Sequence, residues 1–504
     1  MTSRLLVVVL ALATFTFTAT AQGRGRGGAP PGHPYDSSAT DAPPIVTHHQ
    51  IQIGGQTLSY TATTGRMPVA DATGKTEAHI FFVAYTLDGQ EKPNRRPLAF
   101  IYNGGPGEPA IWVHMGGFGP RRIVLNANGT LPPAPYRLTD NQESWLPFTD
   151  MVFIDPDGTG YSRAVSAEAL RATSGVNGDL QSLGEFIRLY LTNYDRFSSP
   201  LYLAGESYGT FRSAGLAGYL TQRGIALNGV VLISSVLDMH SLDENVDNDQ
   251  PDVLFLPTMT ATAWYHKKLP PDLQKESIES VVKQSEQWAT TGYTIALEKG
   301  DALQGADRQQ AIDQLARFTG LDKKLLDDYN LRISSSLFDA ELMRDQKQII
   351  GRLDGRMTGF NRTPGNQRSD FDASWVQRPV FTEMFTQYVR DELGYKTDDV
   401  YGGGIDAWQF DLSDNMSQML ESAFAKNPYM KLLLATGYYD FACPFYEAEY
   451  SMHHLFLPPS EQGNITVAHY QVGHMIYEDT IARQGLMHDV RNLITSTEAP
   501  KSDQ

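Results

Sequence analysis

Short apolar runs separated by Gly, Pro, Asn and Asp recur along most of the chain. Strand-like runs at Ile51–Ile53, Thr57–Thr61, His79–Tyr85 and Leu98–Tyr102 predict an antiparallel opening that leads into a sheet. Met151–Ile154, Leu201–Ala204, Val230–Ile233, Leu432–Ala435 and Ile465–His469 are short and largely apolar, the pattern of parallel or buried strands. After Leu201–Ala204, the residues Phe211, Leu216, Tyr219 and Leu220 recur at helical spacing, so a helix is expected over Phe211–Leu220. Between Leu237 and Asp411 the pattern becomes charged and helical, as in Pro271–Trp288 and Asp307–Phe318, and this segment is expected to cap a site built by the sheet.

The N-terminus departs from this pattern. Arg4 precedes the apolar stretch Leu5–Leu12, too short to span a bilayer, and Ala19, Thr20 and Ala21 supply a small-residue cleavage site. Residues 1–21 therefore read as a secretory signal, and the mature chain is expected to be exported, periplasmic or secreted. Residues 22–44 are rich in Gly, Pro and Arg and read as a flexible tail. No other apolar run is long enough for an integral membrane segment after signal cleavage.

Composition narrows the function classes. With 41 basic against 58 acidic residues the net charge is -17, which argues against a nucleic-acid partner. The acidic run Asp243–Asp249 lacks the glycine and spacing of a calcium loop, and no zinc-ligand set is present, so no metal or cofactor is expected. A single cysteine, Cys443, excludes an intrachain disulfide and reads as a small buried residue.

The chemistry is carried by Gly205-Glu206-Ser207-Tyr208-Gly209, directly after the apolar run Leu201–Ala204. A serine with glycines two positions to either side can stand on a tight strand-to-helix turn with its hydroxyl exposed, as a nucleophile elbow does. A second glycine cluster, Asn103-Gly104-Gly105-Pro106-Gly107, follows Leu98–Tyr102. Glycines there let backbone N–H groups point at a developing oxyanion, with the Tyr208 N–H as partner.

A serine needs a histidine base and a carboxylate to orient it, expected downstream in the order acid, then histidine. Asp440 stands in the loop after Leu432–Ala435, and His474 follows Ile465–His469. Of twelve histidines, the others lie before the elbow, around the insertion, in a helix, inside a strand or towards the termini.

These blocks resemble the serine carboxypeptidase family, of the bacterial exported type. The resemblance rests on Asn103–Gly107, Gly205–Gly209, Gly437–Cys443 and Gly473–Met475 in that order, with Ser144–Trp145, Phe153–Pro156 and Gly158–Ser162 between the first two. It implies an α/β-hydrolase fold: a mixed, mostly parallel central sheet flanked by helices, with a mainly helical cap insertion. The core then takes residues 45–240 and 411–504, and the cap takes 241–410. The resemblance implies Ser207 as nucleophile, His474 as base then acid, Asp440 as its orienting carboxylate, and an oxyanion hole from the N–H groups of Gly105 and Tyr208. It further implies that Asn103, Gly104 and Glu206 hold the free C-terminal carboxylate of a peptide substrate, and that Met475 lines the pocket of the leaving residue. Two carboxylates side by side are tolerable only when one is protonated, so acidic working conditions follow.

Two positions depart from the family pattern. Glu108-Pro109-Ala110 replaces a Cys-Ser-Ser run, and Gly117 stands where some members carry an acid that supports the recognition network. An esterase or acyltransferase of the same architecture is the alternative, since a fold does not fix the acceptor. The sequence leaves the oligomeric state and the preferred side chains open.

Overall fold

The computed structural model describes residues 34–36, 42–367, 372–402, 408–409 and 411–497. The leader at 1–21 and most of the segment at 22–44 lie outside the described residues. The strands in chain order are β1 (Ile45–Ile53), β2 (Gln56–Ala70), β3 (Thr76–Leu87), β4 (Leu98–Tyr102), β5 (Arg121–Ile123), β6 (Leu138–Asp140), β7 (Asp150–Ile154), β8 (Arg163–Ala164), β9 (Leu201–Ser207), β10 (Gly229–Ser235), β11 (Gln348–Ile350), β12 (Thr358–Phe360), β13 (Lys431–Gly437) and β14 (Ile465–Tyr470).

One sheet dominates, ordered β1-β2-β3-β7-β4-β9-β10-β13-β14, with β8 paired to β3. Pairing is antiparallel from β1 through β3 to β7 and parallel from β7 onward. The mixed, mostly parallel sheet flanked by helices expected from the apolar runs is therefore present. The reason lies in the alternation of side chains across the sheet. Phe100, Tyr102, Leu203, Leu232 and Leu434 pack on one face with helices Val176–Asn193, Tyr208–Gln222 and Ser417–Lys426. Their neighbours Ala99, Ile101, Ala204, Ile233 and Ala435 pack on the other, against Phe381 and Phe385 of helix Ala373–Asp391 and Leu486 and Val490 of helix Thr480–Ser496. With both faces covered, neither register can be polar.

Between β10 and β13, helices including Gln250–Tyr265, Ile278–Trp288 and Gly305–Thr319 gather a core of their own around Leu256, Met259, Val281, Leu315 and Phe338. That core reaches the end of β13 through Phe441, whose ring lies 5.5 Å from that of Phe338. The stretch Pro271–Trp288 is not one helix. It divides into Pro271–Gln274, which ends on a Lys275 C-cap, and Ile278–Trp288, which Ser277 caps, its hydroxyl accepting the Ser280 N–H. Helix Tyr208–Gln222 also begins earlier than its apolar spacing indicates, at the residue after Ser207.

Candidate active site

Every expected site residue lies at or just beyond the carboxyl end of a parallel strand, where open α/β sheets place their ligands. β9 ends on Ser207, and the helix starts at Tyr208 with no intervening loop. The turn forces Ser207 to φ 60°, left-handed space that costs a non-glycine residue free energy and holds the hydroxyl outward. A Cβ on Gly205 would overlap the Gly209 carbonyl, so the elbow closes only over glycine. The loop after β4 presses on the same turn. A Cβ on Gly104 would overlap the Tyr208 and Gly209 amide nitrogens, which sets the Gly104–Gly105 backbone beside the Tyr208 N–H.

Asp440 and His474 meet. His474 Nδ1 lies 2.7 Å from Asp440 Oδ2, and Asp440 Oδ1 accepts the N–H groups of Ala442 at 2.8 Å and Cys443 at 3.0 Å. Both side chains are buried. The His474 backbone is clamped from two sides: its N–H donates to the Leu353 carbonyl at 2.6 Å, and its carbonyl accepts the Ser234 hydroxyl at 2.6 Å. The imidazole therefore has a fixed orientation. Its Nε2 faces Glu206 Oε1 at 3.1 Å, while the Ser207 hydroxyl lies against the Cys443 thiol.

Glu206 joins the two halves of the site. Its other oxygen accepts from Asn103 Nδ2, and both residues are almost fully buried. The Asn103 amide has a single sense, because its Oδ1 accepts the N–H groups of Trp112 at 3.2 Å and Val113 at 3.1 Å. One continuous chain of polar contacts thus runs Asn103, Glu206, His474, Asp440. Burial alone would lower the His474 pKa, but the Asp440 and Glu206 carboxylates outweigh it and raise it to about 10. Both charges favour the protonated imidazole, and neutralising Glu206 would lower its pKa.

Sequence reasoning missed Arg212. Fully buried, it pairs with Asp179 (Nε–Oδ2 2.7 Å), donates from Nη1 to the Asn103 carbonyl at 2.6 Å, and stands over the rings of Tyr102 and Tyr208. It ties the elbow helix to the Asn103 loop. The available signal was a lone charge among Phe211, Ser213, Ala214, Gly215 and Leu216, a helix with no polar face for it. Also missed was the contribution of the helical segment: Leu353, Asp354 and Met357 line a small cleft with Met475 and Glu478.

Among the described residues, the cluster with metal-ligand chemistry is Asp440, Cys443 and His474, whose donor atoms lie within 4.8 Å of one another. Asp440 and His474 already use theirs on each other and on backbone N–H groups. No helix among the described residues is long and apolar enough to cross a membrane.

A family model described as serine carboxypeptidase matches residues 55–476. A serine carboxypeptidase family member from Dictyostelium discoideum is 28% identical over 154 residues, 30% of this chain and 34% of that protein. Carboxypeptidase sxa2 from Schizosaccharomyces pombe is 29% identical over 151 residues, 28% of this chain and 27% of that protein. The matches span about a third of the curated relatives' own length. Among solved structures, a prohormone-processing carboxypeptidase from Saccharomyces cerevisiae superposes with a TM-score of 0.53 at 16% identity, covering 86% of this chain and 91% of that one. That likeness is one of fold.

Proposed function

The chain belongs to the serine carboxypeptidase family, and from that premise we propose that it releases C-terminal residues from peptides through an acyl-enzyme. Ser207 Oγ attacks the last peptide carbonyl while His474 takes its proton. The Gly105 and Tyr208 N–H groups hold the oxyanion. Collapse of the tetrahedral intermediate breaks the C–N bond, and His474 gives the proton to the leaving amine. Water then repeats the sequence on the ester, restoring Ser207. Asp440 keeps the imidazole oriented, Met475 contacts the leaving residue, and the helices around Leu256, Met259 and Phe338, within residues 241–410, act as the cap that bounds the substrate pockets.

The observation that carries the reading is the buried Asn103–Glu206 pair beside His474. A hydrolase for neutral esters has no use for a buried carboxyl group at that place, whereas a peptide's terminal carboxylate can share a proton with it and accept from Asn103 Nδ2 and the Gly104 N–H. This arrangement favours acidic working conditions for free-acid substrates.

The experiment is a pH series on matched free-acid and C-terminally amidated peptides. Free-acid cleavage is expected to fall as pH rises and the shared proton is lost. Glu206→Ala should lower free-acid turnover by about tenfold to a hundredfold, the size of a hydrogen bond to a charged group, and Glu206→Gln, which keeps a donor, should flatten the pH dependence. Glu206 also raises the His474 pKa. Removing its charge should therefore free the base at lower pH, and Glu206→Gln should shift the rising limb for a neutral ester substrate downward. Amidated peptides cut as well as free acids at every pH, with Glu206→Ala harming both equally, would replace this reading by the esterase alternative.

The leader at residues 1–21 supports export to the periplasm or beyond the cell. Terminal sequencing of the native protein should find a mature chain beginning near Gln22. A chain that still carries Leu5–Leu12 would mean an uncleaved anchor instead.

A further inference from the structure

The Tyr477 side chain has an uncommon setting. It is fully buried, yet among the described residues its hydroxyl makes no hydrogen bond of normal geometry. A buried donor left without a partner is costly, so its retention calls for a physical reason. The hydroxyl is not remote from the site: it lies towards the Asn103 side chain and feels the charge of Glu206.

The ring cannot turn away. It rests on Gly116 and Gly117, where an added Cβ would come within 3.1 Å of the ring carbons, and it meets Phe118 edge to face at 5.6 Å. These residues belong to the π-turn Val113–Phe118. The first amides of that same stretch, from Trp112 and Val113, fix the Asn103 amide through its Oδ1. The Tyr477 backbone is held as well, its carbonyl accepting from Arg483 Nη1 at 3.0 Å. One turn of chain therefore sets both the Asn103 amide and the Tyr477 phenol relative to Glu206. Burial, with the Glu206 and Glu478 charges adding to it, keeps the phenol protonated and hence a donor across the working pH range.

We infer that the Tyr477 hydroxyl is a further specificity-determining donor of this site, held beside Asn103 without a hydrogen bond of normal geometry among the described residues and completed by the carboxylate of a bound peptide. The inference rests on the carboxypeptidase reading and adds a third donor to those of Asn103 and Gly104. A donor preorganised in this way discriminates strongly, because a substrate lacking the carboxylate leaves it unpaired.

The test is Tyr477→Phe, which keeps the ring on its glycine bed and removes only the hydroxyl. The ratio of kcat/KM for a free-acid peptide over its amide is expected to fall about tenfold to a hundredfold, mostly through a higher KM for the free acid. Rapid labelling of Ser207 by a fluorophosphonate should persist and establishes that the variant is folded. Should the Phe variant fail to fold, Gly117→Ala, which crowds the ring by one methyl group, should lower the same ratio. An unchanged ratio in a folded variant, or an equal loss on both substrates, would overturn the role of Tyr477 while leaving the carboxypeptidase reading intact. A wild-type enzyme with no preference for free acids would overturn both.

Discussion

Ser207→Ala is expected to abolish peptide cleavage, with turnover lower by about 10⁴ to 10⁶, while the protein stays folded. The structural cost is small for a definite reason. The residue at 207 sits at φ 60° whichever small side chain it carries, and the serine hydroxyl bonds the Cys443 thiol, a weakly hydrogen-bonding group. The chemical cost is large because, on the proposed mechanism, Ser207 forms the acyl-enzyme, and burial keeps the neighbouring Cys443 thiol protonated. The residual rate should come from oxyanion stabilisation and substrate binding, which outlast the loss of a nucleophile. A fluorophosphonate probe should label wild type at Ser207 and leave the alanine variant unmodified, with labelled peptides identified by mass. Labelling at another residue, or an alanine variant with full activity, would remove the mechanism.

The elbow was legible in the sequence because its geometry is enforced by steric exclusion. Gly205 and Gly104 stand where any Cβ would overlap backbone, so the fold leaves a compositional mark at those places. Asp440 was legible for a related reason: it follows β13, buried on both faces, which reads as an apolar run whose end can be located, whereas His474 follows the half-exposed edge strand β14 and was placed by its position after Ile465–His469. The site's electrostatics were not. Nothing in the spacing of Glu206 and His474 sets the carboxylate 3.1 Å from Nε2, because that distance depends on how the loop after β14 meets the end of β9 in space. Arg212 stands out in the sequence as a charge in an apolar helix, but its partner Asp179, from the helix Val176–Asn193, is found only in the fold. The helical insertion was legible in kind but not in detail. Its helices satisfy one another around Leu256 and Leu315, so helix breaks such as the one at Ser277 reflect local capping rather than the period of the apolar residues. Tyr477 gave no signal, since an aromatic residue three positions after a histidine is most often core.

His474→Ala should lower kcat/KM by about 10⁴ to 10⁶, and Asp440→Asn by about 10³ to 10⁴, on the scale of other hydrolase triads. The histidine change is the more severe because it removes the group that moves the proton, whereas the acid orients and stabilises that group. The environment of Asp440 explains why even an isosteric amide should fail. Oδ1 accepts two backbone N–H groups and Oδ2 accepts from His474 Nδ1, so the carboxylate acts purely as an acceptor. An asparagine has one oxygen for these two sites. If that oxygen keeps the Ala442 and Cys443 N–H groups, the NH₂ faces Nδ1 and selects the tautomer with its proton on Nε2, where it cannot accept from Ser207. If the amide turns over, the backbone donors of the loop lose their acceptor and the loop is destabilised. The same change removes one of the two charges that raise the His474 pKa, so the variant's remaining activity should rise at lower pH than that of wild type. Because the two residues act as one unit, the double variant should be about as impaired as His474→Ala alone. Steady-state kinetics on the four proteins of this cycle decides the matter: losses that simply multiply would mean that Asp440 and His474 do not work on the same proton.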